Sequence, residues 1–159
     1  MRRVIIDTDV ASLSIKNRLP PTLLRELVGA QVGITFITLG ELVRWATMRS
    51  WGPERRSELN QWLASRPTLP YTDDIARTWG DISAHAARRG RPRPQNDTWI
   101  AACCLAYDLP LATLNIKDFT DFGRDARKLY CCGPAGATGA DRSPVRRTAT
   151  PSSILRSLF

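Results

Sequence analysis

Apolar residues fall along this chain in short runs between turn formers, and their spacing switches between the period of a strand and that of a helix. Arg3 to Ile6 reads as a short buried strand that ends in a turn at Asp7-Thr8-Asp9. Leu13 to Ile15 leads to Pro20-Pro21, which sets the start of a helix with Leu23, Leu24, Leu27 and Val28 on one face and its end at Gly29. Val32 to Phe36, rich in β-branched and aromatic residues, predicts a second strand. A helix from about Leu39 carries Leu42, Trp45 and Met48 or Arg49 on one side and stops before Gly52-Pro53. Glu54 to Ala64 follows as a helix striped by Leu59, Trp62 and Leu63.

The second half repeats the alternation. Thr68 to Tyr71 is a short strand, and Asp73 or Asp74 caps a helix in which Ile75, Trp79, Ile82 and Ala86 recur at helical intervals up to Arg89-Gly90. A Pro-rich basic loop, Arg88 to Pro94, precedes a helix from Asp97 to Tyr107. Leu109 to Thr113 is a strand, and Lys128 to Cys131 is a candidate for another. Strands alternating with helices predict an α/β domain with a mostly parallel sheet.

After Cys132 the pattern stops. Gly133 to Ser153 is Gly, Pro, Ala, Thr, Ser and Arg with almost no large apolar residues, a composition that cannot offset its own ordering entropy. The division is a folded domain over residues 1–132 and a basic, disordered tail over 133–159, whose closing Ile154-Leu155-Arg156-Ser157-Leu158-Phe159 reads as a frayed end. No internal repeat is present.

Composition narrows the class. A chain of 159 residues with 43% apolar and 24% charged residues is the size and make-up of one globular domain that needs no disulfides. No apolar run approaches the roughly 18 residues of a membrane span, and Asp7 and Asp9 break the N-terminal run before a signal-peptide core could form. The expectation is a cytoplasmic protein with no membrane partner. The four cysteines come as adjacent pairs, Cys103-Cys104 and Cys131-Cys132, without the two-residue gap of zinc knuckles and redox motifs, and only His85 could assist them. They read as reduced thiols, at least one of the first pair packed inside a helix.

The net charge is +8, from 23 basic against 15 acidic residues; four arginines against one aspartate after Cys132 supply +3 of it. A basic surface attracts phosphate polymers, and it is equally an ordinary solvated surface. Arg88, Arg89, Arg91 and Arg93 lie within six residues, just before Asp97, and are the candidate RNA-binding group; a solvated loop that suits a helix C-terminus is the plainer reading.

Against this basic background four acids stand at the ends of apolar runs. Asp7 closes Val4-Ile5-Ile6, Glu41 opens Leu42-Val43, Asp97 opens Trp99-Ile100-Ala101-Ala102, and Asp118 follows Leu111 to Asn115 by three residues. Each has a structural explanation of its own. Asp7 ends a strand, Glu41 follows Thr38 in the capping-box spacing, Asp97 is a good N-cap, and Asn115 and Asp118 suit a turn. In a parallel sheet, however, strand C-termini share one edge, and that edge is where ligands bind. Asp7, Glu41 and Asp118 follow strands, whereas Asp97 begins the helix before one and could lie on the opposite edge. Carboxylates brought into one pocket repel by about 4 kcal/mol per pair at about 4 Å and an effective dielectric of about 20, so such a pocket needs a cation.

Four segments carry a resemblance. The strand followed by Asp7-Thr8, then Thr38-Leu39-Gly40-Glu41-Leu42, Asn96-Asp97-Thr98-Trp99-Ile100-Ala101-Ala102, and Leu111-Ala112-Thr113-Leu114-Asn115-Ile116-Lys117-Asp118-Phe119 together resemble PIN-domain ribonucleases, and most of all the VapC toxins of type II toxin–antitoxin pairs. The resemblance spans about residues 1 to 130. It implies a PIN-like, Rossmann-like α/β/α sandwich with a mostly parallel central sheet, whose acids meet at one end of the sheet and bind Mg²⁺ or Mn²⁺. It places Asp7, Glu41 and Asp97 at the first three acidic positions. The fourth is shared between Asn115, where many relatives have an aspartate, and Asp118, three residues on. Thr8 and Thr113 would hold ligands or water through their hydroxyls.

The implied function is a metal-dependent endoribonuclease that hydrolyses RNA phosphodiester bonds with metal-activated water. Asp7 and Asp97 would be the principal metal ligands, with Glu41 and Asp118 as supporting ligands or proton acceptors. The implied partners are an RNA substrate, a cognate antitoxin in a groove walled by Leu42 to Leu63, and a second copy of the chain in a homodimer. Of the five tryptophans, Trp45, Trp62 and Trp79 read as core, and Trp51, beside Gly52-Pro53, as the one most exposed. Two other readings remain open here. Asp7-Thr8-Asp9-Val10 after an apolar strand also suits a haloacid-dehalogenase-type phosphatase with Asp7 as nucleophile, although that class needs a lysine and a further acidic motif not convincingly present. A non-catalytic basic nucleic-acid-binding module would use the same acids as caps.

Overall fold

The fold is taken from a computed structural model of the chain and is described for residues 1–119; the possible strand at Lys128 to Cys131, the second cysteine pair and the tail lie outside the described residues. β1 (Arg2–Ile6) lies in the middle of the sheet, parallel to β2 (Ala30–Thr35) on one side and to β4 (Leu111–Ala112) on the other. β3 (Thr68–Leu69) adds beyond β2, also parallel, giving the order β3-β2-β1-β4. Val4 stands opposite Val32, and Ile6 opposite Ala112.

The period of two along β1 divides the core. Val4 and Ile6 enter one apolar layer with Val10, Ala11, Leu23, Leu42, Ala46 and Leu59, while Ile5 enters the other with Ile75, Ile82, Ile100, Leu111 and Phe119. The first layer is covered by α1 (Thr8–Ile15), α2 (Pro21–Leu27), α3 (Phe36–Met48) and α4 (Pro53–Ala64), the second by α5 (Asp73–Arg88) and α6 (Gln95–Ala106). The α/β/α sandwich expected from the sequence is therefore present, with a sheet that is parallel throughout among the described residues.

Several local expectations change, each for a reason that bears on the site. Asp7-Thr8-Asp9 is not a free turn. Asp7, in extended backbone, accepts a hydrogen bond from the Val10 N–H and caps α1, a two-turn helix whose buried residues are Thr8, Val10, Ala11 and Ser12, too short for periodicity to reveal. In α2 only Leu23 is buried, while Leu24 and Val28 stand out in solvent. α3 starts at Phe36, because Thr35 at the end of β2 accepts from the Thr38 N–H and caps it. Thr38 and Glu41 are consequently not a capping box, and the Glu41 carboxylate is available to the site. Thr72, not Asp73 or Asp74, caps α5. The strands at Thr68 and Leu109 are shorter than expected, Thr68–Leu69 and Leu111–Ala112.

All five tryptophans are half-buried, so Trp51 is not singled out by exposure. The Arg55 guanidinium lies 4.4 Å from the Trp51 ring centre and covers it. Cys103 and Cys104 are both buried free thiols in α6, and burial pushes the Cys103 thiol up to about 12. No helix among the described residues is long and apolar enough to cross a membrane.

Candidate active site

Asp97 is where topology decides most. α6 ends at Ala106, and residues 107–110 lead directly into β4. A link this short brings the helix C-terminus to the edge where the strand begins, so α6 runs against the strands and its first turn lies at their C-terminal edge. Asp97 is thus on the same edge as the other acids, not the opposite one. It is also not the N-cap: that position is Pro94, with Gln95 and Asn96 preceding Asp97 inside the helix. Behind Asp97 the Trp99 ring stacks on Trp79 at 4.6 Å and 8°, and meets Phe36 of α3 edge-on at 6.3 Å. Those contacts anchor the first turn of α6 against α5 and α3.

Asp7 is 4% exposed. The Val10 N–H donates to its Oδ1 at 2.8 Å, and the Thr113 hydroxyl donates to Oδ2. Burial is the main force raising its pKa from 3.8 to about 6; the two hydrogen bonds pull the other way, and Asp9 and Glu41 add repulsion. Asp97, half-buried, is also raised to about 6, by burial first and then by Asp118, Asp7, Glu41 and Asp9 in that order. The charges of acids on three other segments thus reach Asp97.

The remaining acids are held by neutral donors. Glu41 receives the Thr8 hydroxyl on Oε2 and the Asn96 amide on Oε1 at 2.7 Å. Behind Thr8 stands a buried hydroxyl chain, with Thr38 at 3.4 Å from Thr8 and Thr35 at 3.3 Å from Thr38. Asp118 closes a 3-10 turn, Ile116–Asp118, and accepts from the Asn115 side-chain amide. The Asn115 N–H donates to the Thr113 Oγ1 at 3.0 Å, and Thr113 in turn donates to Asp7. The two candidates for the fourth acidic position are therefore bonded partners, and both connect to the first. Arg88 ends α5, and Arg89, Arg91 and Arg93 occupy the link to α6, immediately before the turn that carries Asp97.

Three participants received no role in the nuclease reading of the sequence. Asp9 is exposed, yet its charge acts on both Asp7 and Asp97. Asn96 touches Glu41 from a different helix, and Thr35 supports both the α3 cap and the hydroxyl chain. Asp9 was visible in Asp7-Thr8-Asp9 as a second acid two residues on. Nothing in the spacing links Asn96 to Glu41, 55 residues away.

The donor set is all oxygen, carboxylates and hydroxyls, with the cysteine thiols of α6 sealed in the core; hard divalent cations such as Mg²⁺ or Mn²⁺ fit it better than zinc. The carboxylates share the pocket without forming a closed ligand cage: among the described residues no three His, Cys, Asp or Glu side chains stand at the mutual spacing of a formed metal site. Glu41 and Asp118 lean instead on Thr8, Asn96 and Asn115.

A pH dependence of stability follows. Between 3.8 and about 6, Asp7 and Asp97 bind more protons folded than unfolded. Their contribution to stability is therefore full below about pH 4, falls as pH rises through about 6, and is absent at pH 7.5. A divalent cation binding the ionised pocket opposes that loss. In thermal unfolding, Mn²⁺ added to chelator-treated protein is expected to raise Tm at pH 7.5 by several degrees more than at pH 5. Equal shifts at the two pH values would place the cation elsewhere.

Three comparisons bear on this geometry. The family model described as "PIN domain" matches residues 4–124. The tRNA(fMet)-specific endonuclease VapC of Shigella flexneri is 32% identical over 127 residues, which are 77% of this chain and 94% of that protein. Ribonuclease VapC1 of Haemophilus influenzae is 29% identical over 72% of this chain and 88% of its own. Among solved structures, a DNA-bound VapBC from Salmonella typhimurium superposes with a TM-score of 0.70 at 25% identity, covering 84% of this chain and 98% of that one.

Proposed function

The chain belongs to the PIN-domain family, and from that membership we propose that it is an endoribonuclease acting as the toxin of a toxin–antitoxin pair. The observation that carries the reading is the convergence of Asp7, Glu41, Asp97 and Asp118 from four segments: beyond the effect of burial, the charges of Asp118, Asp7 and Glu41 all act on the Asp97 carboxyl. The similar proteins named as VapC ribonucleases and endonucleases supply the substrate class.

Asp7 and Asp97 would hold Mg²⁺ or Mn²⁺, with Glu41 and Asp118 in support, and the ion would supply Lewis-acid polarisation of an RNA phosphodiester and neutralise the charge that develops on it. The protein's part is positioning. The Thr113 hydroxyl and the Val10 N–H fix the Asp7 carboxylate in one orientation. Thr8 and Asn96 hold Glu41, and each of its oxygens retains a lone pair that can take a proton from an attacking water. Asn115 keeps Asp118 at the rim, so the fourth position works as a pair. Arg88, Arg89, Arg91 and Arg93 would draw the RNA backbone to a pocket whose own charge repels it, which makes binding strongly salt-dependent.

The partners follow the same reading. The solved relatives include VapBC complexes, and an antitoxin is the natural inhibitor of this chain. A depression of about 350 Å³ between the end of α1 and α4 is lined by Ile15, Lys16, Arg18, Trp51, Arg55 and Glu58, and suits an acidic segment carrying apolar side chains. Leu39 and Val43, exposed one turn apart on α3, offer an apolar face for a homodimer.

The test is cleavage of single-stranded RNA by purified protein in Mn²⁺ or Mg²⁺, with chelator and Asp97→Asn as controls. Cleavage is expected only with metal and wild-type protein, and induced expression is expected to arrest growth. Cleavage that survives chelator and Asp97→Asn would defeat the reading. RNA binding without any cleavage would favour the basic binding module, and a trapped aspartyl-phosphate at Asp7 the phosphatase.

A further inference from the structure

We propose that Asn96 is a positioning residue of the cleavage reaction, a neutral tether that holds the first turn of α6, and with it Asp97, at its working distance from Glu41. The proposal rests on the nuclease reading above and adds a residue to it.

The first turn of α6 carries a principal acid and has no side-chain cap. Its N-cap is Pro94, which supplies no side-chain hydrogen bond, and the segment leading to it contains Gly90, Pro92 and Pro94. A turn without a side-chain cap frays readily. Thr98 bonds back to the Pro94 carbonyl through its N–H at 3.0 Å and its hydroxyl at 2.8 Å, contacts that stay within the turn and fix it to nothing else. Trp99 anchors the turn through apolar contacts with Trp79 of α5 and Phe36 of α3; two residues on from Asp97, it points to the opposite side of the helix. On the side of the acid pocket, the side-chain hydrogen bond from this turn to another element is the Asn96 amide on Glu41 Oε1 at 2.7 Å.

Charge makes that tether necessary. Asp97 is repelled by Glu41, Asp7, Asp9 and Asp118, so the turn is pushed away from the pocket it must serve. A lysine or arginine in place of Asn96 would draw Glu41 in, but it would also cancel the negative charge that attracts a divalent cation. An amide donates without adding charge. Glu41 is thereby held from both sides, by Thr8 of α1 and Asn96 of α6, and the α3 acid is fixed to the helices that bear or follow the other two. Asn96 is exposed, so its loss leaves the core intact.

The experiment compares the full-length wild type with Asn96→Ala, Asn96→Gln and Asn96→Asp, reading kcat and KM on single-stranded RNA and the Mn²⁺ concentration that gives half the maximal thermal shift. In Asn96→Ala, kcat is expected to fall about 10- to 100-fold, the range found for outer groups that orient metal ligands. KM is expected to stay within about twofold, metal-free Tm within about 5 °C, and the half-saturating Mn²⁺ to rise about fivefold or more. Asn96→Gln keeps the donor and is expected to recover part of kcat. Asn96→Asp has the same shape with a charge facing Glu41, and is expected to lose more than Asn96→Ala. Unchanged kcat and Mn²⁺ requirement in Asn96→Ala would overturn the proposal. So would a loss confined to KM, which would make Asn96 an RNA contact, an Asn96→Gln variant no better than Asn96→Ala, or an Asn96→Asp variant as active as wild type. If the wild type cleaves no RNA, the nuclease reading fails, whereas the Mn²⁺ shift still reports on the tether.

Discussion

Asp7→Asn is expected to lose RNA cleavage by at least about 100-fold, the scale of removing one preorganised electrostatic group, while remaining as stable as wild type or more so. The two halves of that result have different causes. Asparagine keeps the shape of the side chain: its Oδ1 still accepts from the Val10 N–H and caps α1, and its amide can donate to the Thr113 hydroxyl oxygen. What disappears is a charge that is 96% shielded from solvent, whose pKa stands at about 6 instead of 3.8. A shift of that size corresponds to about 3 kcal/mol held against the folded state at neutral pH, and asparagine does not bear it.

The measurement is denaturant unfolding in chelator at pH 5 and pH 7.5, beside RNA cleavage in Mn²⁺. The variant is expected to gain on wild type by about 1–3 kcal/mol at pH 7.5, and by less at pH 5, where Asp7 of the wild type is mostly protonated. A variant that is active but destabilised would make Asp7 a helix cap and nothing more. A gain in stability paired with a loss of function is the trade-off expected where a buried charge is maintained for chemistry.

Phe119→Ala is expected to lower stability by about 3–5 kcal/mol, the usual range for truncating a buried aromatic ring. Among the described residues Phe119 heads the fully buried side chains by volume, 1% exposed, and shares its layer with Ile5, Ile100 and Leu111. A domain of this size has about 5–15 kcal/mol in total, so the loss is visible as a large fall in the urea midpoint. Phe119 also follows Asp118 directly and fixes the end of the 3-10 turn Ile116–Asp118. The surviving folded fraction is therefore expected to need more Mn²⁺ for cleavage. A loss under about 1 kcal/mol would mean that the ring is not a core anchor.

Much of the fold was legible because burial imposes periodicity. Val4-Ile5-Ile6 reads as a strand covered on both faces, and Ile75, Trp79, Ile82 and Ala86 as a helix stripe, and both are buried as expected except for the half-buried Trp79. α1 escaped because two turns with four buried residues, only two of them apolar, leave no period to detect, and because Asp7 and Asp9 are as suited to turns as to a helix start. The caps of α3 and α5 were misassigned because another cap former stands one to three residues away. Thr35 and Thr72 won over Thr38 and Asp73 because each sits in extended backbone at the point where the helix begins, a dihedral fact with no compositional trace.

By itself the sequence determined the alternation of strands and helices, the basic balance, and the identity of the acids available for metal chemistry, since these depend on side-chain type and local spacing. Only the tertiary structure decided that Asp97 shares an edge with Asp7, Glu41 and Asp118, because the direction of α6 is set by its short link to β4. Only the structure joined Asn96 to Glu41 and Thr113 to Asp7, contacts across 55 and 106 residues of chain. Local patterns record what each residue buries. They carry no record of which distant residue it will face, because that is settled when the sheet assembles and the segment ends are brought to one edge.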